Sequence, residues 1–484
     1  MEPSGAKASV SAFRRVFESS AWLIGSEVGV RILSFATIVY LSRVLTTTGM
    51  GVVEYGMAIF NFVRLVTAGG SDMVGMRQAA RNKAGLGRLA GTIVLVAWTY
   101  FTPVFGLLAV AAWFMDFSLE MKQSILLFGL TAVVLPLGVR FAFVARERVA
   151  MVGIGALAGQ LLFLALCFAF VQDSDDALRV AYAWLIAMTL RTAVQAAAFR
   201  RQFGPIRFRI RLSRLVVWLR STLALGLASV ARNAMQTVDV LLLGVLVVAG
   251  DVASYALALK LPQFLVTGVY YFHQATFPTL ARLLPAANQG RMVAIQADIV
   301  RAALGAALPG LLCLTLISEP LIILLFTEKF SAAADLLPIL LLRFPIVAVS
   351  GLMRNLVWIG RPDAAARVAV QGLVTALVAV AVLVPVLGAR GAAYGMVLAD
   401  VLVFALYTAS ARSWLEPSRW LDWPWLARLA AVMAAIGALS PTIADADPVV
   451  AIVAALATWT MATLLVNYPF VRRLQDELRA RGRS

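Results

Sequence analysis

Charged residues inside long apolar runs are the part of this 484-residue sequence that could do chemistry. The basic residues in such runs are Arg31, Arg64, Arg191, Arg232, Lys260, Arg301, Arg343, Arg354 and Arg428, and the acids are Glu27, Asp239 and Asp400. A charge that faces lipid is costly, so each should face water, a partner or the membrane interface. The pattern therefore predicts an internal polar compartment with a mostly cationic lining.

Four of these cations lie at different depths. Arg31 and Arg232 are on the order of 15 Å inside their predicted spans, near the midplane. Arg64 lies towards one membrane face and Lys260 towards the other. Phosphate oxygens suit such a lining, because the planar guanidinium binds them in a bidentate manner. We predict Arg31, Arg64, Arg232 and Lys260 as substrate-binding residues.

Some charges have a simpler interpretation. Glu27 and Arg31 are one helical turn apart, so they either neutralise each other or line the compartment. Arg191, Arg354 and Arg428 lie near the ends of spans, where snorkelling to the interface is favoured over function.

The acids leave more than one role open. Asp239 is interpreted as a proton-coupling carboxylate, a cation site or the partner of an arginine on another helix. For Glu27 and Asp400 the two alternative roles are ion coupling and structural pairing with a cation.

The remaining residue types exclude several kinds of site. One histidine and two cysteines exclude a metal site of several histidines or cysteines. No phosphate-binding loop of the Gly-x-x-x-x-Gly-Lys-Ser/Thr kind occurs, so the chain does not hydrolyse ATP by that route. We predict no metal and no cofactor. The intramembrane acids would allow transport to be coupled to a proton gradient, a sodium gradient or the membrane potential.

Composition places the chain in a membrane. Hydrophobic residues make up 61% of the sequence and charged residues 14%, which is far from the composition of a soluble protein. The formal net charge of +17 would suggest nucleic acid in a soluble protein, but the basic residues here concentrate in the connectors between apolar runs. We therefore predict no nucleic-acid partner.

Hydropathy predicts about 14 transmembrane helices. The predicted spans are 21–43, 50–70, 89–115, 123–144, 151–171, 179–199, 222–248, 254–278, 293–317, 334–359, 366–386, 391–411, 425–443 and 449–469.

The connectors on one side carry most of the 42 lysines and arginines. Connectors on the other side hold only Arg43, Lys122, Arg179, Lys329 and Arg390. Because cytoplasmic loops are enriched in basic residues, both termini are predicted to be cytoplasmic.

A basic stretch divides the apolar spans into two sets. It runs from Arg200 to Arg220, and Gly204 and Pro205 interrupt any continuous helix through it. The predicted organisation is a cytoplasmic N-terminal segment (1–20), a first lobe of six helices (21–199), an inter-lobe linker (200–221), a second lobe of six helices (222–411), a C-terminal helix pair (412–469) and a basic cytoplasmic tail (470–484).

The two lobes carry a similar motif at their entrance. Residues 51–58, Gly-Val-Val-Glu-Tyr-Gly-Met-Ala, share Val, Tyr and Ala in register with residues 251–258, Asp-Val-Ala-Ser-Tyr-Ala-Leu-Ala. Each copy follows the first span of its lobe, which favours an internal duplication.

Motifs along nearly the whole chain resemble those of Wzx-type polysaccharide flippases, which belong to the multidrug/oligosaccharidyl-lipid/polysaccharide exporter (MOP) superfamily. They are Arg31 in the first span, Leu41–Leu45 with Gly49–Gly51 and Tyr55, Asp239–Gly244 with Asp251 and Tyr255, Leu324–Phe326 with Phe330 and Asp335–Pro338, Ile359–Pro362, and Leu387–Ala393. Their order and spacing carry the resemblance.

The resemblance implies an all-α integral membrane protein with two six-helix lobes around a central cationic cavity and two further C-terminal helices. It also implies alternating-access transfer of undecaprenyl-pyrophosphate-linked oligosaccharide from the inner to the outer leaflet of the bacterial cytoplasmic membrane. The implied partners are that substrate, membrane lipids, and the polymerase and chain-length regulator of the same pathway.

Two other functions remain as alternatives. A drug or organic-cation antiporter of the same superfamily would favour acids and aromatic residues around its ligand. A membrane glycosyltransferase or polymerase would need an active site, but every connector on the outer side is short. We therefore expect a transporter rather than an enzyme.

Overall fold

The structure is a computed structural model. It describes residues 25–81, 85–208, 212–284, 289–415, 420, 422–444, 446–468 and 472. The predicted N-terminal segment and nearly all of the predicted basic tail lie outside the described residues. The side chain of Arg232 also lies outside the description.

Every regular element of the described chain is helical, and the chain divides into two compact units, Met1–Thr237 and Val238–Ser484. The first unit contains α1 (25–44), α2 (Thr47–Ala68), α3 (Ser71–Arg81), α4 (Leu86–Phe114), α5 (Leu119–Thr131), α6 (Arg140–Ala145), α7 (Ala150–Phe170), α8 (Ala177–Phe203) and α9 (Leu212–Ala234).

The second unit contains α10 (Val238–Leu246), α11 (Ala249–Leu283), α12 (Gln289–Leu316), α13 (Ser318–Phe326), α14 (Ala332–Leu341), α15 (Arg343–Gly360), α16 (Pro362–Leu387), α17 (Ala389–Ala411), α18 (Trp423–Ala444) and α19 (Pro448–Val466). The predicted boundaries of lobes, linker and C-terminal pair stay predictions, as does the central cavity between the lobes.

Among the described residues, 12 helical segments are long and apolar enough to cross a membrane. Each coincides with a predicted span. The other predicted spans are 21–43, which begins outside the described residues, and 222–248. The prediction of an all-α membrane protein with about 14 spans is confirmed.

The span predicted at 222–248 is not one helix. Residues 235–237 form a turn between α9 and α10, and α9 packs within the first unit. Gly226 of α9 lies against Gly70, where a Cβ atom would come 2.7 Å from the Gly226 backbone nitrogen. The hydroxyl of Tyr100 donates to the carbonyl of Leu219 at 2.9 Å. A backbone contact this close requires glycine on both sides.

Part of the predicted linker is held against α4. The amide of Arg207 donates to the carbonyl of Gly87 at 2.9 Å, and a Cβ atom on Gly91 would lie 2.1 Å from the Arg207 carbonyl oxygen. Phe208 stacks on Trp98 with ring centroids 5.9 Å apart. Residues 204–208 therefore follow the glycine face of α4 rather than forming a free hinge.

Polar contacts attach the C-terminal helices to α12. Arg301 donates through Nε to the carbonyl of Trp420 at 2.6 Å and forms an ion pair with Asp422 at 3.1 Å. Further along α12, the indole of Trp459 donates to the carbonyl of Ala306 at 2.8 Å. Arg301 thus has a structural role, which accounts for one of the charges inside the apolar runs.

The crossing of α11 and α15 is tightly packed around a buried polar residue. His273 is fully buried, its Nε2 atom lies 2.7 Å from the Ala348 carbonyl, and Asn355 donates to the His273 carbonyl at 2.8 Å. The imidazole lies directly over Gly351, where a Cβ atom would come 2.1 Å from the ring. Only glycine allows this approach.

Gly351→Ala tests that packing. A methyl group would push the His273 ring away from its carbonyl partner, so we expect a loss of about 1–3 kcal/mol in stability. Gly437→Ala is the matched control, because no atom lies within 4 Å of its added Cβ. Thermal unfolding of the purified protein in detergent should show a lower midpoint for Gly351→Ala alone; equal midpoints would contradict the packing argument.

Candidate substrate and ion-coupling sites

Three arginines of the first unit lie close together. Arg64 is near the end of α2, Arg140 begins α6 and Arg191 is in the middle of α8. Arg64 and Arg191 each interact electrostatically with Arg140, and with each other. Asp72, in the first turn of α3, adds a carboxylate within range of Arg64 and Arg140. Positive charge therefore exceeds negative charge in this cluster.

The three arginine side chains differ in their exposure to solvent. The side chains of Arg64 and Arg140 are exposed and that of Arg191 is half-buried, yet protein atoms surround Arg64 on most sides. Exposure together with many neighbours is typical of a cleft. None of the three forms a hydrogen bond or close ion pair with any described residue, so their donors are available to an anion.

Local sequence explains how Arg191 and Arg140 are positioned. A Cβ atom on Gly159 of α7 would lie 2.8 Å from the Cβ of Arg191, so this glycine lets α8 approach closely at that level. Arg140 follows Val139, whose left-handed backbone (φ 42°) turns the chain sharply into α6. Close helix packing and a sharp turn thus bring residues far apart in sequence into one cleft.

Arg31 is paired within its own helix. Its Nη2 atom lies 3.3 Å from Glu27 Oε1, and both side chains keep considerable exposure, 37% and 49%. Glu27 also interacts electrostatically with Arg191. The pairing alternative is therefore realised, although the pair borders the arginine cluster.

The other predicted binding residues are not brought into this cluster by the described structure. Lys260 is half-buried on α11 in the second unit, and its side chain already interacts with another group of the protein. Arg232 is in α9, but its side chain is outside the description. The assignment of Arg31, Arg64, Arg232 and Lys260 to substrate binding stays a prediction.

A second polar cluster is buried in the second unit. Arg343 Nε donates to Asp400 Oδ2 at 2.6 Å, with only 14% and 10% of the two side chains exposed. Tyr255 donates its hydroxyl to Asp239 Oδ2 at 2.8 Å, and both residues are essentially inaccessible. Arg343 also interacts electrostatically with Asp239 and Tyr255. The guanidinium of Arg343 thus interacts with two carboxylates, those of Asp400 and Asp239.

This cluster joins residues of four helices, α10, α11, α15 and α17. Asp239 lies in the first turn of α10, where its Oδ1 atom accepts the Val240 amide at 2.9 Å. Arg343 and Asp400 lie within the apolar segments Ala332–Gly360 and Ala389–Trp414, each on the order of 16 Å from the segment start. A buried arrangement with surplus negative charge suits either a fixed ion pair or the uptake of one further cation or proton.

Sequence patterns alone could not find several of these residues. The pattern of charges in apolar runs does not single out Arg140 and assigns Arg191 to the interface, so neither is predicted as a binding residue. Arg343 was recognised as an intramembrane charge, but its partner Asp400 is 57 positions away. Tyr255 was visible only as part of the repeated motif; its hydrogen bond to Asp239 was not predictable from that pattern.

The sequence matches the family described as "Polysaccharide biosynthesis protein" over residues 16–284. This is more than half of the chain. The protein belongs to this family. No curated protein matches the sequence.

Solved structures share the fold at low sequence identity. The lipid II flippase MurJ in an inward closed conformation matches with a TM-score of 0.72 and 12% identity, over 95% of this chain and 99% of that chain. An inward-facing multidrug resistance MATE transporter of the MOP superfamily matches with a TM-score of 0.64 and 14% identity, over 80% and 94%. A eukaryotic MATE transporter matches with a TM-score of 0.52 and 16% identity, over 83% and 98%.

These similarities confirm the predicted resemblance at the level of family and fold. The chain is a multi-pass helical membrane protein with the fold of flippases and transporters, rather than that of a membrane enzyme.

The ion pair in the second unit can be tested by removing its partners in turn. Arg343→Met leaves Asp400 and Asp239 without their cation, so we expect a loss of about 3–5 kcal/mol in stability. Adding Asp400→Leu removes one of the two stranded charges and should recover much of that loss.

Unfolding midpoints of the two variants and the wild-type protein in detergent provide the measurement. The pairing would be contradicted if the single variant had the same unfolding midpoint as the wild type, or if the double variant had a midpoint no higher than that of the single variant.

Proposed function

We propose that this protein is a flippase for undecaprenyl-pyrophosphate-linked oligosaccharide. It moves the substrate from the inner to the outer leaflet of the bacterial cytoplasmic membrane by alternating access, for surface polysaccharide biosynthesis. Both termini are cytoplasmic. The observation that carries the proposal is the cluster of three arginines, Arg64, Arg140 and Arg191, in a member of the polysaccharide biosynthesis family.

The chemistry of the cleft fits a diphosphate. Guanidinium groups form paired, charge-assisted hydrogen bonds with phosphate oxygens, and these three have donors that no described residue occupies. An anion would also relieve their mutual repulsion. Asp72 and Glu27 at the border limit the excess charge, so that the head group can be released.

Arginine substitutions test this role. Arg64→Gln, Arg140→Gln and Arg191→Gln each keep a polar side chain but remove the charge, so each should slow transport about tenfold or more. Arg367→Gln is the matched control, because Arg367 is an exposed arginine at the start of α16.

The measurement is transfer of a fluorescent undecaprenyl-pyrophosphate oligosaccharide across proteoliposomes, read with a membrane-impermeant quencher. Wild-type rates in all three cleft variants would contradict the proposal.

Similarity to MATE transporters makes a drug antiporter the second candidate. A cationic drug would be repelled by the arginine cleft, which favours the anionic substrate. The same proteoliposomes distinguish the two: movement of a cationic dye without movement of the lipid-linked oligosaccharide would replace the flippase proposal.

We also propose that an ion gradient drives transport through the cluster in the second unit. One arginine opposite two buried carboxylates leaves a place for a proton or sodium ion. The groups that face Asp239 are Tyr255 from α11 and Arg343 from α15, and Arg343 is in turn paired with Asp400 of α17. The charged residues of α16, Asp363 and Arg367, are confined to its first two turns.

Asp239→Asn should fold but lose the response of transport to the driving gradient. Proteoliposomes with an imposed proton gradient, sodium gradient or membrane potential identify which of the three drives the wild-type protein. Asp363→Asn is the control, an exposed acid outside the cluster. Unchanged gradient dependence in Asp239→Asn would exclude this cluster as the coupling site.

A further inference from the structure

Helix α11 presents a polar face where a membrane helix should be apolar. Gln263 is exposed near the middle of the predicted span 254–278, Gln274 is exposed about one turn before its end, and Thr267 lies between them. Neither glutamine side chain forms a hydrogen bond with any described residue. Amide groups facing hydrocarbon without partners are costly, so this face should border water or a ligand.

Helical spacing puts aromatic rings on the same face. With 3.6 residues per turn, Phe264 and Tyr271 point in nearly the same direction as Thr267. Their exposed fractions are 62% and 47%. Nothing lies within 4 Å of a Cβ atom placed on Gly268, so the space beside these rings is open. Amides and a hydroxyl thus alternate with exposed aromatic surface.

The opposite face of α11 is packed. Pro262 and His273 are buried, and His273 anchors the helix to Ala348 of α15. The polar face therefore has a fixed orientation, and rotation of the helix cannot hide its amides.

Lys260 lies one turn before the polar face, towards the predicted periplasmic end. From Gln263 to Gln274 the side chains of this face are uncharged, and the face extends about 16 Å along the helix. Arg354 of α15 lies over the ring of the neighbouring Tyr270, 5.4 Å from its centroid. An uncharged row of amides, hydroxyl and rings beside a cation matches a ligand with a neutral part rich in hydroxyl groups and an anionic end. Sugars have both polar hydroxyls and apolar C–H surfaces, and mixed polar and aromatic linings bind such ligands.

We propose that this face of α11, formed by Gln263, Phe264, Thr267, Tyr271 and Gln274, binds the sugar part of the lipid-linked substrate. The inference rests on the proposed flippase function and adds to it a role for α11 in binding the oligosaccharide. Selection among substrates with one lipid carrier would then depend on α11.

The test compares two probes in proteoliposomes. Both carry the same undecaprenyl diphosphate and fluorophore; one bears a tetrasaccharide from the cognate surface glycan and the other a single N-acetylhexosamine. Gln263→Leu with Gln274→Leu keeps side-chain size but removes the amides. We expect the ratio of the tetrasaccharide rate to the monosaccharide rate to fall about tenfold.

Gln371→Leu is the control, since Gln371 is an exposed glutamine of α16 outside the α11 face; its ratio should equal that of the wild type. Tyr271→Phe, which removes one hydroxyl, is a milder variant that should lower the ratio if the double variant does not fold.

Equal loss for both probes, or no change in the ratio in either α11 variant, overturns the sugar site while leaving the flippase function standing. If the wild-type protein moves neither probe, the proposed flippase function is wrong, and the proposed sugar site is then wrong as well.

Discussion

The cost of placing charge in hydrocarbon is the constraint on which this structure depends. The two units meet it differently. In the second unit, Arg343 is buried between Asp400 and Asp239. In the first, Arg64 and Arg140 stay exposed without a close partner among the described residues. Pairing stabilises a fold, whereas an open cation remains free to bind, so this difference separates the two kinds of intramembrane charge.

Close helix contact is the second requirement, because lipid gives helices little hydrophobic reason to associate. Glycine meets it at several crossings. Gly159 sets the approach of α8 that places Arg191, Gly70 meets Gly226 where α9 crosses, and Gly351 accommodates the ring of His273. These helix crossings therefore depend on residues that carry no side chain.

The proposed function divides the polar residues of this fold by chemical type. Guanidinium groups gather in the first unit, carboxylates with their arginine in the second, and uncharged amides with aromatic rings along α11. The proposed substrate has a diphosphate and a neutral sugar chain, and the proposed gradient supplies an ion. On this proposal, affinity, selectivity and energy coupling are changed by separate substitutions.

The sequence by itself determined the membrane class, nearly every span and the presence of charges that lipid would not tolerate, because hydropathy and charge cost are properties of short segments. Arg64 and Asp239 were found in that way. Only the tertiary structure decided that Arg343 joins Asp400 and that 222–248 is broken at 235–237, and only it chose pairing between the two alternatives for Glu27 and Arg31. The Arg343–Asp400 pair links two helices that are distant in sequence, and hydropathy carries no information about which helix faces meet.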